Sequence, residues 1–311
     1  MERTRPLKVG VQLPEVEREV RWPELRQMAK TAEEVGFDSL WVGDHLLYRK
    51  PSGPSGPWEA WTTMAALAEM TTRVEIGPLV ACTSFHSPPI LAKMAATLDE
   101  ISGGRIILGL GAGWNEPDFS AFGLPYDRRA SRFEEAFTII RTLLREGHID
   151  FEGEFYSVRD CELLPRGPRP QGPPLMIGSS GKRMLNFTAP HMDAWNAWHD
   201  WFGNTSEGLA PFSEAVDGAC RAAGRDPAEV ERTCTVYVQF PDGKGRDTSR
   251  EYADPTPPLK GSAEEIARDL AAYAAVGVSH IQLVMDPITV ESIEACGPVL
   301  ERLDSYSTNA A

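Results

Sequence analysis

Apolar residues fall along this chain in two alternating rhythms. Short, nearly continuous apolar runs occupy 8–13, 39–42, 74–81, 175–178, 193–197, 232–240 and 279–285, with one more beginning at Ile106. Each reads as a strand. Between them the apolar positions recur at helical spacing, as in 22–35, where Trp22, Leu25, Met28, Ala29, Ala32 and Val35 share one side. The same rhythm predicts helices at 58–70, 90–101, 129–145, from near 182, at 207–223, 262–276 and 289–303. The punctuation agrees. Pro14 ends the first strand, Gly36 stands at a helix C-cap, and Pro88 and Pro89 open a helix. Ser262 with Glu265 three residues later forms a capping box.

Three stretches interrupt the alternation. Residues 50–57 read as a Pro/Gly/Ser loop. Residues 148–173 read as a small hairpin turning at Gly153, followed by a connector. Residues 241–260 read as a polar, proline-rich mobile loop. Apart from these, strands and helices alternate, and most strands are apolar on both faces. That is the pattern of a parallel sheet buried on both sides. The fold class is therefore α/β, and the economical closure is a (β/α)8 TIM barrel. No composition break divides 1–311, which favours one barrel domain over an open doubly wound sheet.

Composition narrows the function. Hydrophobic residues make up 42% of the chain and charged ones 24%, enough apolar material for a sizeable core. The net charge of −14, with no basic run, argues against nucleic acid and anionic membrane partners. The N-terminus lacks an apolar signal region, and no stretch approaches the ~20 apolar residues of a membrane span. Five scattered cysteines without a CxxC pair fit reduced thiols and a cytoplasmic protein.

In a barrel the chemistry sits on loops at the C-terminal ends of the strands. The second strand ends in Asp44-His45, an acid–base pair at neutral pH or a plain loop cap. The third ends near Phe85 and His86. The fourth, RIILGLGAGWNE at 105–116, dissolves into Gly109, Gly111 and Gly113 around Ala112, then gives Trp114, Asn115 and Glu116. The dinucleotide fingerprint needs GxGxxG opening a helix, and Trp114 occupies the place of its third glycine, so a Rossmann reading fails. Gly178-Ser179-Ser180-Gly181 before a helix is either an anion cradle or an N-cap. Trp198 and Trp201, with Trp114, Phe85 and Phe119, suggest stacking walls for a flat ligand; Trp195, inside a strand, reads as core. HExxH, paired-carboxylate and GxSxG patterns are absent, so metal and serine hydrolase chemistry find no support.

The run 77–122, GPLVACTSFHSPPILAKMAATLDEISGGRIILGLGAGWNEPDFSAFG, resembles the luciferase-like flavin and deazaflavin oxidoreductases. So do IGSSGKRMLNFTAPHMDAWN at 177–196 and KGSAEEIARDLAAYAAVGVSHIQLV at 260–284, in the family's order. The resemblance implies a TIM barrel with a flavin-type ring at its C-terminal mouth. It implies coenzyme F420 as cofactor, with FMN and monooxygenase chemistry as the alternative and a non-enzymatic flavin-binding protein as a distant third. It places Asp44 and His45 at the catalytic ring face and a non-prolyl cis peptide at Leu79-Val80 behind the ring. Gly111, Ala112, Gly113 and Glu116 would line that ring, and Gly178, Ser179, Ser180 and Gly181 the cofactor tail. Phe85, His86, Trp114, Trp198 and Trp201 would face a small-molecule substrate. A homodimer is expected. One departure stands out: the family's Phe-Arg-His-Pro is Phe85-His86-Ser87-Pro88 here, without the arginine.

Overall fold

The computed structural model of the protein describes residues 5–50, 52–245 and 256–308. The chain opens with β1 (Lys8–Gln12), α1 (Trp22–Val35) and β2 (Ser39–Val42). A small antiparallel hairpin follows, β3 (Tyr48–Lys50) with β4 (Gly53–Ser55), where a bare loop was expected. Then come α2 (Ala60–Met70), β5 (Glu75–Pro78), β6 (Ala81–Cys82), α3 (Pro88–Ser102) and β7 (Leu108–Gly111). The loop after β7 contains a short helix, α4 (Glu116–Phe122), before α5 (Arg129–Glu146). An outlying hairpin, β8 (His148–Glu152) with β9 (Ser157–Glu162), leads to β10 (Leu175–Gly178), α6 (Lys182–Thr188) and β11 (Ala194–Ala197). The chain continues through α7 (Ala210–Ala222), β12 (Glu231–Gln239), α8 (Ala263–Ala275) and β13 (Val278–Asp286) to α9 (Val290–Ala295) and α10 (Gly297–Thr308).

Nine parallel segments form one sheet in the order β5-β2-β1-β13-β12-β11-β10-β7-β6. The order returns on itself because β5 and β6 are two halves of one interrupted strand. Ile76 of β5 bridges Ile106 in parallel, and Ala81 and Cys82 of β6 pair with Leu110 and Gly111 of β7. The result is a nearly closed barrel of eight strand positions ringed by helices. The expected continuous strand at 74–81 thus breaks at Leu79-Val80, whose peptide bond is cis.

Side-chain alternation sorts the core into two layers. Leu40, Leu175, Ile177 and Trp195 point outward into the main core beneath the helices. Trp41, Met176 and Ala194 point inward and pack with Leu79, Val80, Ile107 and Trp198 in the lumen. Local signals hold where predicted. Gly36 takes the left-handed C-cap at φ 115°, and Ser262 and Glu265 form both bonds of the capping box. Other boundaries moved for physical reasons. Helix α2 begins two residues late because the Glu59 carboxylate accepts the N–H groups of Trp61 (2.8 Å) and Thr62 (2.7 Å). The single helix expected at 289–303 divides at Cys296, next to Gly297. The polar stretch expected as a mobile loop at 241–260 lies partly outside the described residues.

One buried charge fastens the barrel's connector to its helices. Asp99 on α3 is fully buried and receives Arg169 Nε at 3.1 Å; Arg169 also donates to the Ile106 carbonyl at 2.6 Å. Arg169→Ala would strand the carboxylate. Removing one partner of a buried pair costs about 3–5 kcal/mol, and the 30% exposure of the arginine side chain places this case at the low end. A urea unfolding curve should show a loss of about 3 kcal/mol.

Candidate active site

The strand ends open into a cavity of about 400 Å³. Its floor is poor in side chains. Leu79 and Val80 lie there between the halves of the interrupted strand, with Gly111 of β7 and Gly178 of β10 beside them. A Cβ added at Gly111 would stand 2.8 Å from Val80 Cγ2, and one at Gly178 would stand 3.0 Å from the same atom. Gly109 is tighter still: a Cβ there would stand 2.3 Å from the Pro78 carbonyl oxygen and 2.9 Å from Val80 Cγ1. These glycines therefore form a notch that receives Val80. Besides lining the cavity, Gly111 and Gly178 thus make room for a side chain of the protein's own floor.

One wall carries a buried acid–base cluster. His45, with a side chain 15% exposed, brings Nδ1 to 2.7 Å from Asp118 Oδ2. Its Nε2 lies 3.8 Å from Glu15 Oε1, beyond hydrogen-bond reach. Glu15 is buried and held in place: it accepts Tyr48 OH (2.7 Å) and Gln12 Nε2 (2.9 Å). Asp44 accepts the Cys82 N–H at 2.8 Å and so ties the second strand's loop to the third. Trp114 packs edge-on against His45 at 5.3 Å between centroids.

Two buried histidines show what this cluster does. For both, burial works against the charged ring. At His45 the carboxylates of Glu15, Asp118 and Asp44 outweigh that burial and raise the pKa above the ordinary value. His280 in the lumen has a serine partner instead, Ser39 Oγ at 2.7 Å, and Lys8 nearby. Burial, helped by Lys8, pushes it down to about 3, so it is neutral. Asp118 moves the opposite way from a lone buried acid. Burial raises it, but the hydrogen bond and charge of His45, with the N–H groups of Leu47 and Leu46, bring it below the usual carboxylate range.

Most of the expected residues meet at this cavity. Asp44, His45, Leu79, Val80, Gly111, Ala112, Gly113, Gly178, Ser179, Ser180 and Gly181 line it, as do Phe85, Trp114, Trp198 and Trp201. Two expected residues do not. Glu116 is exposed in the first turn of α4, and His86 sits behind the wall, edge-on to Trp61 at 6.0 Å and 3.8 Å from Asp44 Oδ2. Phe119 is fully buried against Phe85 and Tyr126, and Trp195 is core, its indole N–H bonded to the Ser179 carbonyl at 2.7 Å. Glu15, Tyr48, Asp118, Arg129, Asn196 and Asp200 line the cavity without having been singled out as site residues. For Glu15 a signal existed, since it follows Pro14 at the end of the first strand. Asp118 gave none, because its place in a helix was itself unread. Among the described residues, no group of three His, Cys, Asp or Glu side chains could hold a metal ion, and no helix is long and apolar enough to cross a membrane.

A barrel whose C-terminal mouth joins a buried acid–base group to an aromatic wall is a small-molecule enzyme site. The chain belongs to the luciferase-like monooxygenase family, whose model matches residues 7–245. It is 31% identical to an F420-dependent glucose-6-phosphate dehydrogenase of Amycolatopsis mediterranei, over 78% of this chain and 72% of that one. It is 29% identical to the pyrimidine monooxygenase RutA of Stutzerimonas stutzeri, over 89% of this chain and 88% of that one. Its fold matches a solved F420-dependent secondary alcohol dehydrogenase bound to an F420-acetone adduct, with a TM-score of 0.80 at 20% identity, covering 96% of this chain and 99% of that one. The chain is an oxidoreductase-class enzyme of this family.

Proposed function

We propose that the protein transfers a hydride between coenzyme F420 and a small organic molecule at the barrel mouth. The observation that carries this reading is His45, whose ring meets Asp118 at 2.7 Å and whose pKa nearby carboxylates raise, at the wall of a cavity floored by Leu79, Val80, Gly111 and Gly178. The residues fit such a group. Gly111 and Gly178 put no side chain beside Val80 on this floor, so a planar ring could lie across it with Ala112 and Gly113 at its edge. Ser179 and Ser180 offer hydroxyls to a polar tail, and the Gly181 N–H, at 3.2 Å from Ser179 Oγ, holds the first of them in place. When bound, the deazaflavin supplies the hydride-carrying carbon. The chain's own part is to orient the ring, exclude water with Trp114, Trp198 and Trp201, and exchange a proton at His45 Nε2. Asp44 keeps the floor and the His45 loop in register through Cys82.

A second reading is an FMN-dependent monooxygenase. The match to RutA over most of both chains favours it. A titration separates the two. The purified protein is expected to quench F420 fluorescence at micromolar concentration and to bind FMN at least about tenfold more weakly, a difference of about 1.4 kcal/mol. Tight FMN binding with no F420 quenching would reverse the choice.

A further inference from the structure

The acid–base cluster contains more than the histidine. Asp118 lies at the start of α4 with no exposure, and every lone-pair direction of its carboxylate is used. Oδ1 accepts the backbone N–H groups of Leu46 (2.9 Å) and Leu47 (2.6 Å). Oδ2 faces His45 Nδ1 at 2.7 Å and accepts Asn115 Nδ2 at 2.9 Å. Asn115 Nδ2 also donates to the Leu47 carbonyl at 2.9 Å. One carboxylate thus joins the loop after β2 to the loop after β7, and the histidine is the only ionisable member of the first loop that it touches. We propose that Asp118 is a positioning residue: it holds the proton on His45 Nδ1 and thereby leaves Nε2 as the atom that exchanges a proton with the ligand.

An ionised carboxylate only accepts hydrogen bonds, so the ring nitrogen facing it must carry hydrogen in either charge state. The ring is therefore fixed in orientation and tautomer. When the Nε2–H bond breaks and the proton passes to a basic heteroatom of the ligand, the imidazolium becomes the neutral Nδ1–H form with no ring rotation. The reverse transfer is equally direct. The groups that face this ring are Asp118 from α4, Glu15 from the loop after β1, Asp44 from its own loop, Tyr48 at the start of β3, and Trp114. Glu15 opposes Nε2 at 3.8 Å without bonding it, so the second nitrogen is favoured as a donor yet not captured. Gly43 makes that placement possible, because a Cβ there would stand 2.6 Å from the Glu15 carboxyl carbon.

The inference gives the proposed proton exchange at His45 its positioning partner, but its test needs no cofactor and separates the two claims. Asp118→Asn keeps an oxygen for the N–H groups of Leu46 and Leu47. It removes the charge and turns an amide N–H toward Nδ1. Nitrogen-15 NMR of histidine-labelled, cofactor-free protein, with His45 assigned through His45→Gln, reads the outcome. In Asp118→Asn the His45 proton affinity should fall by at least about tenfold, one pH unit, and the neutral ring should move its proton to Nε2. Asn115 Nδ2 keeps the Leu47 carbonyl but loses Oδ2 as an acceptor, so the melting temperature should fall while the variant still folds. An unchanged His45 titration in the folded variant would overturn the proposal and leave Asp118 a loop staple. Should the variant not fold, the parent protein alone decides. Above its titration the neutral His45 must carry hydrogen on Nδ1, and a neutral Nε2–H tautomer would overturn the assignment.

Discussion

His45→Ala is expected to lower turnover by two to four orders of magnitude, the usual worth of a positioned acid–base group, about 10²–10⁴. Cofactor affinity should stay within about tenfold, or 1.4 kcal/mol, because the floor residues proposed to meet the ring are untouched. The measurement is reoxidation of reduced F420 against a panel of ketones, aldehydes and conjugated enones, paired with a fluorescence titration. Equal turnover in the variant would remove His45 from the chemistry. Equal loss of turnover and affinity would make it a binding group instead.

The pH dependence carries a definite sign. Burial opposes the charge on His45, but Glu15, Asp118 and Asp44 together raise its pKa above the ordinary value. A reaction that needs the protonated ring should therefore decline with rising pH, and should do so at a higher pH than an ordinary imidazole would give. A histidine lowered by burial and a nearby cation, as His280 is, would lose the same rate at lower pH, below neutrality. His86 provides the internal control. It is the nearest other histidine along the chain, yet it faces Trp61 behind the wall, so His86→Gln should change turnover by no more than a few fold.

The barrel was legible because parallel strands buried on both faces leave continuous apolar runs, and helices between them leave a different period. The strand ends were legible for the same reason, and they brought Asp44, His45, Gly111 and Gly178 to one mouth. What stayed hidden depends on side-chain direction and on loops that fold locally. Residues 116–122 form a helix whose only long apolar groups are Phe119 and Phe122, too few for a period to show. Asp118 is therefore invisible as the partner of His45, 73 residues earlier in the chain. His86 follows Phe85 directly, but the short helical turn at Thr83–Phe85 sends the two side chains to different places. The glycines were legible only in part. Small residues at a strand end announce a close approach, but sequence alone does not say by what.

That approach can be tested at Gly111. Its strand is paired on both sides, to Cys82 of β6 and, one residue earlier, to Ile177 of β10. The backbone there has little freedom to retreat. A Cβ would meet Val80 Cγ2 at 2.8 Å, closer than side-chain atoms tolerate. Gly111→Val must then lift Val80 or push its own branches into the cavity, and either change roughens the floor. Cofactor affinity is expected to fall by more than about a hundredfold, near 2.7 kcal/mol, while the barrel, read by circular dichroism, persists. The milder Gly111→Ala should bind more weakly than the parent, and Val80→Ala in that background should restore part of the loss, because it empties the notch. Contacting residues couple by about 0.5–3 kcal/mol, so the double-mutant cycle should be measurably non-additive. Full affinity in Gly111→Val would mean that the ring lies elsewhere in the mouth. Strict additivity would mean that Val80 and the glycines do not shape the floor together.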